Sequence, residues 1–138
     1  MALIEWTQAL ETGLWPVDKQ HQQLVQLINN LDEAVRNDVE EAFFLGILSE
    51  LVAYTREHFR VEESLMEVAG YPGLSRHKLF HDYFVKRLKG FSERYSSGDI
   101  VVAEDLLTFL KLWLLEHVAQ SDRDYIPFVA EVHSSHPG

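Results

Sequence analysis

The chain has 138 residues, 46% of them apolar, and a formal net charge of −10 with histidine neutral. That is the size and composition of one domain with a real core, which excludes a disordered chain. The absence of a basic cluster argues against nucleic acid or an anionic membrane as partner. With no cysteine, disulfides, thiolate ligands and iron–sulfur clusters are excluded as well.

Met1 to Trp6 lacks the basic region and long apolar run of a secretory signal, and the most apolar stretch, Leu106 to Leu115, is short and carries Lys111. A soluble, cytoplasmic protein without membrane insertion is expected, and the acidic surface suggests a monomer.

Residues 1–16 are not periodic but carry Trp6, Leu10, Leu14, Trp15 and Pro16, so an aromatic arm laid across the fold is expected. A first helix follows, with Val17, His21, Leu24, Val25, Ile28, Leu31 and Val35 on one face. Asp18 is placed to cap it. Asn37-Asp38 breaks the pattern, and Asp38 with Glu41 resembles a capping box. The second stripe is Phe44, Ile47, Leu48, Leu51, Thr55, His58, Glu62, Leu65 and Met66. Gly46 inside it should cost about 1 kcal/mol against alanine, which suggests a close helix approach there. Gly70-Tyr71-Pro72-Gly73 is a strong stop.

The third stripe is Leu74, His77, His81, Phe84, Leu88, Phe91 and Tyr95, ending before Ser96-Ser97-Gly98-Asp99. Asp99 can cap the fourth, whose stripe is Leu106, Leu110, Trp113, Leu114 and His117. Residues 123–132, with Tyr125 to Val129, read as a short docked segment, and 133–138 as a loose tail. The whole of 1–138 is therefore one domain. Its connections are short, so successive helices are antiparallel, and the expected fold is an all-α, up-down-up-down four-helix bundle.

His21, His58, Glu62, His77, His81 and His117 all interrupt apolar stripes rather than solvated faces, and Asp122 follows five residues after His117. His58 and Glu62, and likewise His77 and His81, are four apart and point the same way, one turn apart. Each pair alone has a bland reading as hydrogen-bonded core. Together they are costly to bury unless something pairs them at once, and a metal does. A five-residue step turns His117 and Asp122 about 140° apart on a regular helix, so the fourth helix is expected to break between them.

Histidine with carboxylate and no sulfur suits iron, manganese or zinc. Five imidazoles, two carboxylates bridging two ions, and one bridging oxide or hydroxide fill one six-coordinate and one five-coordinate ion. Zinc prefers four ligands. The Glu-x-x-His tetrapeptide of ferritin-like sites does not occur in the chain. Two irons with one vacancy fit best.

The combination of V-D-K-Q-H at 17–21, H-F-x-x-E-E at 58–63, H-x-x-x-H at 77–81 and W-L-x-x-H-x-x-x-x-D at 113–122 resembles the hemerythrin family, in its single-domain bacterial form. The similarity runs from about Trp6 to Phe128 and matches all seven ligand positions. It implies that His77, His81 and His117 hold the coordinatively full iron, that His21 and His58 hold the iron with the open position, and that Glu62 and Asp122 bridge both. It also implies reversible binding of dioxygen at the open iron, as a hydroperoxide, for intracellular storage or delivery to an oxygen-consuming enzyme.

Leu24, Val25, Phe59, Trp113 and Leu114 lie near the ligands on the stripes and are expected to line the ligand pocket. A dry wall there disfavours escape of charged products. An enzyme reducing peroxide or nitric oxide on the same core would need a proton donor and substrate access, and neither is evident from the stripes; a sensor is the third reading. A carrier rather than an enzyme is therefore expected. Among the remaining polar residues, Glu63 is expected to face solvent, Tyr125 to pack near or bond to Asp122, and Asp18 either to cap or to orient His21. His133 and His136 fall in the tail.

Overall fold

The computed structural model describes residues 3–95, 99–117 and 124–129. Four α-helices follow a single 3-10 turn at Gln8–Leu10: α1 (Trp15–Arg36), α2 (Glu41–Ala69), α3 (Leu74–Arg94) and α4 (Ile100–Glu116). A short helix over 124–129 follows. Helix α1 packs on α2 and α4, and α3 on α2 and α4. With the short connections between α1, α2 and α3, this is an antiparallel four-helix bundle. No helix among the described residues is long and apolar enough to cross a membrane.

The helices begin and end for local reasons. Pro16 lies in the first turn of α1, where its missing N–H costs nothing and its fixed φ is already helical. Asp18 is thus inside the helix, not its cap. Its carboxylate accepts from the Thr12 backbone N–H (2.8 Å), the Thr12 hydroxyl (2.7 Å) and the Gly13 N–H (3.1 Å), closing the turn that leads into α1. The capping box expected of Asp38 and Glu41 does not form. Glu40 holds the N-cap position without a side-chain bond, and Asp38 instead makes the turn with a left-handed φ of 50°. Gly70 ends α2 with φ 68°, and the Tyr71 N–H reaches back to the Met66 carbonyl. Asp99 caps α4 through the Val102 N–H at 3.2 Å.

The stripes meet in one core in which Leu24, Ile28, Leu31, Leu48, Leu51, Leu88, Leu106 and Leu110 are buried. The N-terminal arm covers it: Ile4 and Leu10 are buried, and Ile4 is held by a two-point bond to Asn29, at 2.9 Å in each direction. Gly46 is exposed, and a Cβ there would meet nothing within 4 Å, so no close helix approach explains it. A second apolar cluster joins Met66 to Tyr125 and Val129, docking the 124–129 segment against the far end of α2.

Candidate metal centre

Each long helix delivers its histidines to the same end of the core. His21 comes from α1, His58 and Glu62 from α2, His77 and His81 from α3, and His117 closes α4 as its C-terminal cap residue. All six are buried, with His21, His58 and Glu62 wholly inaccessible. Two sets of potential ligand atoms converge to within 4.8 Å of one another: His21, His58, Glu62 and His117, and His77, His81 and His117. Six of the seven residues singled out by spacing are thus brought together. Asp122 lies outside the described residues, as do His133 and His136. The regular helix ends at Glu116, just before His117.

Hydrogen bonds on the outer ring nitrogens fix the tautomers. His58 Nδ1 is 2.7 Å from Gln20 Oε1, and His81 Nδ1 is 2.9 Å from Glu63 Oε2. Both partners are acceptors, so both rings donate outward and, when neutral, aim the Nε2 lone pair into the cluster. Yet His58 Nε2 lies 2.9 Å, His117 Nε2 3.2 Å and His81 Nε2 3.6 Å from one oxygen, Glu62 Oε1. The Nε2 atoms of His58 and His81 are buried without a hydrogen-bond partner among the described residues. His117 can satisfy that oxygen by donating to it, but the inward lone pairs of His58 and His81 repel the carboxylate unless a positive charge lies among them. Cations on the imidazole nitrogens and the carboxylate satisfy the arrangement, and the donor set, nitrogen and oxygen without sulfur, fits iron.

The electrostatics agree. Burial holds the His81 imidazole below its ordinary range, and His117 and His77 add to this while Glu62 and Glu63 only partly oppose it. The ring is therefore neutral, the form that binds metals. Burial pushes the Glu62 carboxyl up, but His58 and His117 outweigh it and hold it well below the usual carboxylate range. Its second oxygen accepts the Tyr125 hydroxyl at 2.7 Å.

The walls are apolar. Phe59 lies flat on His81 at 3.7 Å and 3°, and Trp113 on His117 at 4.7 Å and 12°. Leu24, Val25 and Leu114 are buried in the core. An open groove of about 640 Å³ between α3 and α4, lined by Leu79, Phe80, Tyr83, Leu112 and Trp113, reaches His117 from outside.

Two polar residues at the site, Gln20 and Glu63, escape the sequence reading, while Tyr125, expected beside Asp122, bonds to Glu62. Gln20 and Glu63 each sit one position from a ligand, a 100° turn that points them at the adjoining helix, and Glu63 does not simply face solvent. Tyr125 reaches Glu62 from beyond α4. The only sequence signal for the first two is a polar residue directly flanking a buried ligand.

The model of the hemerythrin HHE cation binding domain matches residues 12–129. The chain is 36% identical over 129 residues to a bacteriohemerythrin of Pseudomonas aeruginosa (strain LESB58), covering 94% of this chain and 83% of that one. It is 35% identical over 125 residues to one from Stenotrophomonas maltophilia (strain R551-3), covering 91% and 80%. Among solved structures, a wild-type hemerythrin superposes with a TM-score of 0.80 at 26% identity, over 94% of this chain and 99% of that one.

Proposed function

The chain belongs to the hemerythrin family, and from that premise we propose that it binds dioxygen reversibly at a non-haem di-iron centre, as a cytoplasmic store or carrier and not as an enzyme, with an oxygen-consuming enzyme as its recipient. His77, His81 and His117 would hold one iron, His21 and His58 the other, and Glu62 with Asp122 would bridge them, together with an oxide or hydroxide. Once bound, a reduced iron pair would supply two electrons for the reversible binding of dioxygen.

The single observation that carries this reading is the convergence of buried, inward-aimed imidazole nitrogens on one carboxylate oxygen. Around it the chain's own residues do the rest. Gln20 and Glu63 hold His58 and His81 in the ligand tautomer. Tyr125 donates its hydroxyl to one lone pair of the second Glu62 oxygen and leaves the other for a cation. Leu24, Val25, Phe59 and Leu114 are buried and Trp113 stacks on His117, an apolar wall beside which charged oxygen species would be poorly solvated and neutral dioxygen the favoured leaving form.

The test is direct. Purified protein is reduced and loaded with ferrous iron without air, its iron content measured, and its visible spectrum followed as dioxygen is admitted and then flushed out. Two irons per chain and a colour that appears and fades over repeated cycles are expected. A single ion per chain, or one irreversible change to the ferric form, overturns the proposal.

A further inference from the structure

Two tyrosines lead from the metal centre to the surface, and neither is needed to hold a metal. Tyr125 is fully buried, its hydroxyl donates to Glu62 Oε2 at 2.7 Å, and its ring lies 5.7 Å from that of His77. The ring of Tyr71 comes next, 6.4 Å from Tyr125, and is partly open to solvent. Phe128 packs against its side at 5.1 Å. Gly73 makes room for this ring: a Cβ at residue 73 would stand 2.6 Å from a Tyr71 ring carbon and 2.7 Å from its hydroxyl oxygen. The Tyr-Pro-Gly sequence therefore does more than end α2. It seats a phenol beside a buried one that touches the centre.

We propose that Tyr125 and Tyr71 form an electron relay that draws oxidising equivalents out of the centre to the protein surface when the protein meets hydrogen peroxide. The inference rests on the di-iron reading above. Phenols are among the most easily oxidised side chains when their proton has somewhere to go, and Tyr125 has Glu62 Oε2 in hydrogen-bond contact. Electron tunnelling falls exponentially with distance, so two short steps outrun one long one. In each pass Tyr125 gives up an electron inward while its proton shifts along the bond to Glu62. Tyr71 then restores the electron, the proton returns to Tyr125, and Tyr71 loses its own proton to solvent. A reductant of the ascorbate class returns one electron and one proton to Tyr71. Two passes match the two electrons and two protons that break the O–O bond of one peroxide and yield two waters, the protons being drawn from solvent. The relay thereby spares the buried histidines and Met66, which packs against Tyr125.

The experiment uses the full chain, iron-loaded, ferric, and with iron content confirmed. It is mixed with hydrogen peroxide, frozen at intervals and examined by electron paramagnetic resonance, with ring-deuterated tyrosine to identify the radical. A tyrosine radical quenched by ascorbate is expected in the parent. Tyr71→Phe should leave a radical on Tyr125 that ascorbate quenches severalfold more slowly. Tyr125→Phe should remove most of the signal and raise severalfold the oxygen added to Met66 and the ligand histidines, read by peptide mass. An iron-loaded parent without a tyrosine radical overturns the relay alone, as does an indole radical that vanishes in Trp113→Phe, or an unchanged quenching rate in Tyr71→Phe. A chain that does not hold two irons overturns the di-iron reading along with it.

Discussion

Gln20 and Glu63 each hold an imidazole at its outer nitrogen, and would so act on a bound metal without touching it. Losing such a partner typically costs about 10–100-fold in metal affinity, because the ring regains a tautomer and a rotation that must be given up again on binding. Glu63→Ala is therefore expected to weaken iron binding by about that factor, measured by competition with a chromophoric chelator. Glu63→Gln should recover most of the loss, because an amide oxygen can accept from His81 Nδ1 just as Gln20 does from His58. Equal losses in both variants would show that the negative charge, not the hydrogen bond, is what matters. The pH dependence also belongs to single residues. His81 is held below its ordinary 6.5 by burial, so the unfolded chain takes up its proton first as pH falls. That contribution to stability is complete above 6.5 and is lost below it. The metal-free protein should show a urea midpoint that declines as pH drops below 6.5; a flat profile would contradict a buried neutral ring. The ligands themselves are legible in the sequence, because a histidine or acid in the middle of an apolar stripe is conspicuous. Gln20 and Glu63 are not, because a residue one step along a helix looks like the edge of the solvated face; Tyr125 is legible as a neighbour of the site, but its bond to Glu62 is not, because that pairing depends on chain beyond the end of α4.

At the scale of elements, stripes and breaks transfer well from sequence to structure, while caps and glycines do so only in part. The four periodic faces coincide with α1 to α4, and Gly70 and Asp99 end and begin helices as their chemistry suggests. Asp18 misleads because an aspartate before an apolar face can equally fold back onto the preceding turn, and Pro16 moves the helix start ahead of it. Gly46 misleads in the opposite direction: it invites a packing explanation and has none. Gly46→Ala is accordingly expected to stabilise the protein by about 1 kcal/mol, since alanine regains the entropy that glycine forfeits in an exposed helix interior. Urea denaturation measures this, and a loss of stability would reveal a neighbour that the structure does not show. The N-terminal arm offers the opposite case. Asn29→Ala removes both bonds to Ile4, and leaving those backbone groups poorly paired should cost roughly 1–3 kcal/mol, visible in the same denaturation series. An effect near zero would mean that the arm is held by Ile4 and Leu10 alone.

For the molecule as a whole, the centre and the fold are one thermodynamic object, because the six described candidate ligands come from the first three long helices and the end of α4. Without cations the bundle must confine buried imidazoles around a single ionised carboxylate, and taking these polar groups out of water opposes burial. With cations the same side chains become cross-links between helices that otherwise touch only through apolar contacts. A ligand that binds only the folded chain stabilises it by RT ln(1 + [L]/Kd), about 4 kcal/mol at a thousandfold excess over Kd. Stripping the metal should therefore lower the unfolding midpoint, and returning ferrous iron without air should raise it by an amount that grows with the logarithm of free iron. A bundle whose midpoint is indifferent to iron would mean that the ligands are organised by packing alone. Replacing Glu62 separates the two contributions further. Glu62→Leu deletes the carboxylate that His117 and Tyr125 engage and that is held ionised in the folded chain, so the metal-free protein should lose roughly 3–5 kcal/mol of stability at neutral pH, and the stabilisation by iron should be largely lost as well. A metal-free Glu62→Leu protein as stable as its parent would show instead that the carboxylate, with its hydrogen bonds to His117 and Tyr125, adds nothing to the fold before a metal arrives.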